Sequence, residues 1–133
     1  MPDRLTIGGS LFYAAQQFPQ HDALIYDDRR ADYAGLAAEV TARARGLLGF
    51  GVRPGDHVGI LMPNGWDHVI LFYAATLIGA RVVLLNARYR ADDLAFVIPW
   101  AELDWLVIGS EAREHADYRA MLLDVFPSLA DWD

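Results

Sequence analysis

Four histidines and two serines are the residues of this sequence best suited to acid–base or nucleophilic chemistry. They are His21, His57, His68 and His115, with Ser10 and Ser110. The histidines do not show the spacing of a metal site, and neither serine stands in a G-x-S-x-G motif. Structural histidines and helix-capping serines account for the set, so the sequence predicts no catalytic residue and no metal site.

Paired carboxylates and tryptophans are the next candidates. Adjacent residues point in different directions, so Asp27/Asp28 and Asp92/Asp93 are predicted to serve a turn and a helix N-terminus. Three tryptophans could stack on a ligand ring, but packing is the preferred explanation for Trp100, Trp105 and Trp132. No GxxxxGKS/T motif occurs, and the glycines near position 50 do not follow a strand in GxGxxG spacing.

Two asparagines follow predicted strands. Short apolar runs occupy residues 58–62, 81–85 and 104–108, and they are followed by Pro63-Asn64, Asn86 and Gly109. If these strands are parallel, Asn64, Asn86 and Ser110 lie along one edge of the sheet, where open α/β sheets usually bind ligands. Capping is the preferred explanation for both asparagines, and ligand binding is the alternative.

Residues 56–88 form the strand–helix–strand unit around which the chain is organised. In the predicted helix, residues 66–80, the only clearly polar side chains are those of Asp67, His68 and Thr76. A helix with so small a polar face is expected to be buried. The sequence leaves open whether other helices of this chain, a second copy, or nothing covers it.

Further elements are predicted on both sides of this unit. Ser10 caps a helix over residues 11–18, and Asp32 caps a helix over residues 35–48. Between these helices, residues 23–26 and 31–33 pair as a small hairpin around a charged turn at 27–30.

The second half of the chain continues the pattern of helices and strands. Asn64 caps the central helix, and Pro99 stops or kinks a short helix that begins at Asp92 and Asp93. Ser110 caps a last helix that ends near Val125, and residues 128–133 have no clear structure. The fold class predicted is α/β, an open, mostly parallel sheet with flanking helices and a small N-terminal hairpin, with residues 1–133 as a single α/β unit.

Composition limits the classes of function. Apolar residues make up 54% of the chain and charged residues 22%, and the net charge of −7 argues against nucleic-acid binding. There is no cysteine, which is compatible with a cytoplasmic protein. The most apolar window, residues 69–85, contains Arg81 and is too short to span a membrane, so we expect a protein that is not transmembrane.

The order of several short segments resembles the N-terminal region of the AMP-forming, adenylate-forming ligases. These segments are FPQHDALI from Phe18, GVRPGD from Gly51, VGILMPN from Val58, and GA and LNAR, which begin at Gly79 and Leu85. The resemblance runs from about Leu11 to Gly109, and the form LNAR is most similar to the acyl-CoA synthetases. Three local departures from the family pattern are Asp32, Gly35 and the pair Pro99-Trp100.

The resemblance implies an acid–thiol ligase active in fatty acid metabolism. Such an enzyme takes a carboxylic acid, ATP with Mg and coenzyme A, and forms acyl-CoA, AMP and pyrophosphate. The family's phosphate loop, aromatic-Thr-Glu segment, ribose-binding Asp and catalytic Lys have no counterpart in these 133 residues. We therefore expect a truncated chain that is inactive and binds no cofactor alone, with no catalytic residue carried over and its cofactor-binding residues unknown.

Two alternatives stay open at this stage. One is a non-catalytic interaction module that keeps this fold and self-associates, or packs with a missing remainder, through exposed apolar surface. The other is a free-standing flavodoxin-like domain that only resembles the ligases. Self-association and nucleotide or flavin binding would separate them from the ligase interpretation.

Overall fold

A computed structural model describes residues 6–110 and 117–131. The chain alternates helices and strands after an N-terminal helix and hairpin. In chain order the elements are α1 (Ile7–Gln17), β1 (Asp22–Tyr26), β2 (Arg29–Asp32), α2 (Tyr33–Phe50), β3 (His57–Leu61), α3 (Trp66–Leu77), β4 (Arg81–Leu85), α4 (Ala91–Trp100), β5 (Trp105–Ile108), α5 (Tyr118–Val125) and a 3₁₀ turn (Pro127–Asp131). The predicted α/β class is confirmed.

The chain divides into two compact units. The first comprises Met1–Asp56 with Asn64–Val82, and its described part contains α1 to α3 and the β1–β2 hairpin. The second comprises His57–Pro63 with Val83–Asp133 and contains most of the parallel sheet with α4 and α5.

Helix α3 is the buried element of the first unit. Asp67 is its only exposed residue, and α1 and α2 both pack against it. The prediction of a buried central helix is confirmed, and helices of the same chain contribute the cover. The helix ends at Leu77 rather than at position 80, because Gly79 adopts a left-handed backbone (φ 83°) that ends the helical ladder.

Of the two predicted N-terminal caps, Asp32 is confirmed and Ser10 is not. Helix α1 begins at Ile7 because the Thr6 hydroxyl accepts a hydrogen bond from the backbone N–H of Gly9 at 3.0 Å. The prediction of Ser10 as the cap was wrong, since Ser10 lies inside the first turns and donates to the Ile7 carbonyl. Asp32 does cap α2, where its carboxylate accepts from the N–H of Gly35 at 2.7 Å.

The predicted hairpin is present, with a shorter turn. Only Asp27 and Asp28 form the turn, and Arg29 begins the returning strand. The Arg29 guanidinium lies 4.0 Å from the centre of the Trp66 ring, whose indole N–H donates to Glu39 at 2.8 Å. These contacts fasten the hairpin and α2 to the start of α3.

The second unit is built on a parallel sheet with strand order β4-β3-β5. Strand β3 pairs with β5 in parallel from Val58↔Trp105 to Leu61↔Ile108. The apolar cluster of this unit joins the strand ends to α4 and α5 through Leu61, Leu85, Leu94, Tyr118 and Leu122. The three parallel strands are therefore confirmed.

The ends of the C-terminal helices differ from the prediction in detail. Helix α4 ends one residue after Pro99, as a proline in the last turn permits. Helix α5 ends at Val125 as predicted, but Asp117 caps it by accepting from the N–H of Ala120 at 2.9 Å. Ser110 is therefore not its cap, and residues 111–116 of the predicted helix lie outside the described residues.

Two further points concern the end of the chain and its helices. The tail was expected to lack structure, whereas Pro127–Asp131 forms a 3₁₀ turn. Among the described residues, no helix combines the length and the hydropathy that a membrane crossing requires.

Two helical glycines provide a matched test of the packing in the first unit. A Cβ at Gly8 would lie 2.7 Å from the Leu77 Cα, whereas a Cβ at Gly46 would meet nothing within 4 Å. We expect Gly8→Ala to lower the free energy of unfolding by about 1–3 kcal/mol, because α1 must move away from α3. Gly46→Ala is the control and should raise it by about 0.5–1 kcal/mol through helix propensity. Urea unfolding measures both, and a stabilised Gly8→Ala protein would contradict the packing described.

Candidate functional site

The carboxyl ends of the three parallel strands define one edge of the sheet in the second unit. Strands β3 and β5 end in register, and the N–H of Gly109 donates to the carbonyl of Leu61 at 3.0 Å just beyond them. A Cβ at Gly109 would lie only 2.9 Å from the Met62 Cβ, so the two chain segments are in close contact there. This is the edge at which ligands of open α/β sheets usually bind.

Asn86 builds a tight turn where β4 reaches this edge. Its side-chain oxygen accepts from the backbone N–H of Arg88 at 2.9 Å, and its carbonyl accepts from the N–H of Tyr89 at 3.0 Å. Asparagine favours the first position of such a turn because its side chain can bond the backbone two residues on. The side-chain oxygen of Asn86 is thus engaged in the turn, which agrees with the preferred structural explanation.

Arg88 is the cation that this turn exposes. Its side chain is exposed, and within residues 6–110 and 117–131 its guanidinium has no hydrogen bond or ion pair. A guanidinium offers five N–H donors in a fixed plane that matches a carboxylate or a phosphate. In the sequence, Arg88 stood out only as part of the LNAR segment and not as a candidate site residue. The available signal was a cation three residues after the end of a strand.

Asn64 does not cap α3 as predicted. It belongs to the first unit, and the position that precedes α3 is occupied by Gly65, with no side-chain cap. The prediction of an Asn64 cap was therefore wrong. The exposed Asn64 instead accepts a hydrogen bond from the Tyr26 hydroxyl through its carbonyl, at 3.3 Å.

The described histidines each have different neighbours. His21 stacks on Phe18 with ring centres 5.4 Å apart, and Nδ1 of His57 lies 2.9 Å from the carbonyl oxygen of Ala101. His68 is half-buried in α3, and this burial lowers its pKa from the usual value of 6.5. His115 lies outside the described residues, and among the residues described no group of three or more His, Asp or Glu is arranged to hold a metal ion.

The remaining described candidates belong to the second unit. Asp93 accepts from the N–H of Arg90 at 2.9 Å at the start of α4, as the helix N-terminus explanation requires. Ser110 is exposed just beyond β5. Trp105 is half-buried in β5, whereas Trp100 is 74% exposed and does not pack as predicted. Trp132 lies outside the described residues.

Comparison with known proteins gives one consistent family. A family model described as "AMP-binding enzyme" matches residues 11–131. A rat protein named medium-chain acyl-CoA ligase ACSF2, mitochondrial, is 32% identical over 93% of this chain. The 2-hydroxy-7-methoxy-5-methyl-1-naphthoate–CoA ligase of Streptomyces carzinostaticus is 31% identical over 90% of it.

A structural comparison agrees with the sequence match. The N-terminal domain of FACL13 from Mycobacterium tuberculosis superposes with a TM-score of 0.76 at 27% identity, over 94% of this chain and 29% of that domain. This chain spans about a fifth of the length of the curated relatives, 20% of the rat protein and 21% of the Streptomyces protein.

The lowered pKa of His68 predicts a dependence of stability on pH. Below about pH 6.5 the unfolded chain binds a proton at this histidine before the folded chain does, so the free energy of unfolding should fall as the pH decreases. Urea unfolding at about pH 7.5 and 5.5 should show a smaller difference for His68→Gln than for the original protein. An equal difference in the two proteins would show that His68 does not contribute.

Proposed function

Because the chain belongs to the family of AMP-binding enzymes, we propose that it forms the N-terminal part of the large domain of an AMP-forming acyl-CoA ligase. The observation that carries the proposal is the match of residues 11–131 to the family, together with acyl-CoA ligases as relatives. The complete enzyme would join a carboxylic acid to coenzyme A with ATP and Mg, and release AMP and pyrophosphate. Residues 1–133 would then be one α/β unit of that domain.

Within such an enzyme, this chain would supply a wall of the active-site cleft. The carboxyl edge of its parallel sheet supports this role, because Arg88 stands there on a fixed turn. All reactants of the proposed ligation carry carboxylate or phosphate groups. We assign to Arg88 the binding of one such anionic group.

The chain alone is proposed to be inactive and to lack a complete cofactor site. Support comes from the 133-residue sequence, which contains no Ser/Thr/Gly-rich loop ending in Pro-Lys-Gly. A cytoplasmic location is a further proposal. The lack of cysteine is compatible with it, although the rat relative is named as mitochondrial.

A second candidate function is a self-associating interaction module. Two large apolar side chains of α4 favour it, since Phe96 and Trp100 are four residues apart on one helix and are 70% and 74% exposed. Sedimentation analysis over a range of concentrations separates the candidates in part. A concentration-independent monomer would remove the support for the module.

The inactivity of the chain is directly testable. We expect no acid-dependent exchange of labelled pyrophosphate into ATP by the purified 133-residue chain, with a full-length acyl-CoA ligase as the positive control. Measured exchange would contradict the proposal. The reading frame after codon 133 tests the N-terminal assignment: a continuing frame with a Ser/Thr/Gly-rich loop supports it, and a stop codon favours the interaction module.

The role of Arg88 is testable with inorganic pyrophosphate as the probe. In an NMR titration of the chain, we expect the amides of residues 86–89 to shift, and Arg88→Ala to raise the Kd about tenfold because a charge-assisted bond is lost. Arg88→Lys should lie between the two, since it keeps the charge without the planar fork. The control is Arg45→Ala, which removes an exposed arginine of α2 in the other unit. Equal Kd values for the chain and Arg88→Ala would contradict the assignment.

A further inference from the structure

We infer that Tyr118 is a positioning residue for the carboxyl-edge site: its hydroxyl holds the Asn86–Tyr89 turn, and with it Arg88, in the anion-binding conformation. This inference rests on the proposed function, in which Arg88 binds an anionic group. It also makes α5 part of the site, although the sheet edge and α5 are distant in sequence.

The hydrogen bond that supports this inference joins two distant elements. The Tyr118 hydroxyl, at the first residue of α5, donates to the carbonyl of Ala87 at 2.8 Å, across 31 residues of sequence. Ala87 lies directly before Arg88 in the turn. Its carbonyl is not used by the turn itself, because the two bonds that close the turn both end on Asn86.

The two kinds of bond have different consequences. The bonds to Asn86 set the shape of the turn, but they join residues at most three apart and cannot fix where the turn stands. The Tyr118 bond fastens the turn to the packed body of the second unit. Because this anchor restricts the turn before a ligand binds, less conformational entropy is lost on binding.

Tyr118 is itself held firmly. Its side chain is 1% exposed and packs in the apolar cluster with Leu61, Leu85 and Leu94. Burial also raises the pKa of its hydroxyl, so the group keeps its proton near neutral pH and remains a donor. Ala87 and Tyr89 of the turn also pack against this cluster. Phenylalanine would fill the same apolar space and keep that packing, so the substitution removes only the hydrogen bond to the turn.

Tyr118→Phe tests the inference, because it removes the hydroxyl and keeps the ring. We expect the Kd for inorganic pyrophosphate to rise at least about threefold, since the Ala87 carbonyl loses its partner and the turn gains freedom. In the protein without ligand, the amide resonances of Arg88 and Tyr89 should shift, and the Tyr89 amide should exchange with solvent faster. All measurements are made well below the unfolding midpoint of every variant.

Two controls separate positioning from general stability. Tyr26→Phe also removes a hydroxyl that donates to a backbone carbonyl, but in the first unit, and should leave the Kd unchanged. Leu122→Val weakens the same apolar cluster and keeps the Tyr118 hydroxyl, so it should lower the unfolding midpoint and leave the Kd unchanged.

Each outcome decides the inference. Equal Kd values for the original chain and Tyr118→Phe, with binding lost in Arg88→Ala, would overturn the positioning role and leave the site intact. If the original chain binds no pyrophosphate, the site proposal fails, and amide exchange then decides whether Tyr118 fixes the turn. Unchanged exchange at Arg88 and Tyr89 in Tyr118→Phe would overturn the inference in that case.

Discussion

The burial of α3 is the constraint on which the first unit depends. Of its twelve residues only Asp67 is exposed, so the helix is stable only while other elements keep its apolar surface from water. Helices α1 and α2 meet this need, and the lack of a side chain at Gly8 lets α1 approach α3 closely. The chain also passes from β3 through α3 to β4, and a helical crossover of this kind is what parallel strands need to be joined.

Parallel strands place their carboxyl ends at one edge, and the candidate site follows from that placement. Asn86 and Arg88 have different roles at this edge of the second unit. The side-chain oxygen of Asn86 accepts a hydrogen bond within the turn, whereas the Arg88 side chain is exposed. A residue directly after a strand serves the backbone here, whereas the residue two positions later is available for binding.

The relatives are named for different acids, although their identity to this chain is nearly the same. Ligases named for a medium-chain acyl group and for a substituted naphthoate match the chain at 32% and 31% identity. Nearly equal identity to enzymes named for such different acids means that similarity across this stretch does not identify the acid.

Features that depend on neighbours along the chain could be predicted from the amino-acid sequence alone. Strand β4 lies where the apolar run over residues 81–85 predicted it, Asp32 caps α2, and α3, the helix with a small polar face, is buried. Each of these depends on residues within a few positions of one another, or on a periodic pattern of burial.

Features that depend on distant partners, or on competition between equivalent local signals, could be seen only in the folded chain. Thr6 and Ser10 both carry a hydroxyl that could cap a helix, so the sequence does not distinguish between them. Thr6 caps α1 because the folded helix begins directly after it, and Ser10 then lies inside the helix. The pairing of the Tyr118 hydroxyl with Ala87 spans 31 residues, and no sequence period marks it. Local hydrogen bonds and hydrophobic periodicity can be read from the sequence, whereas a contact across the fold exists only once the chain has packed.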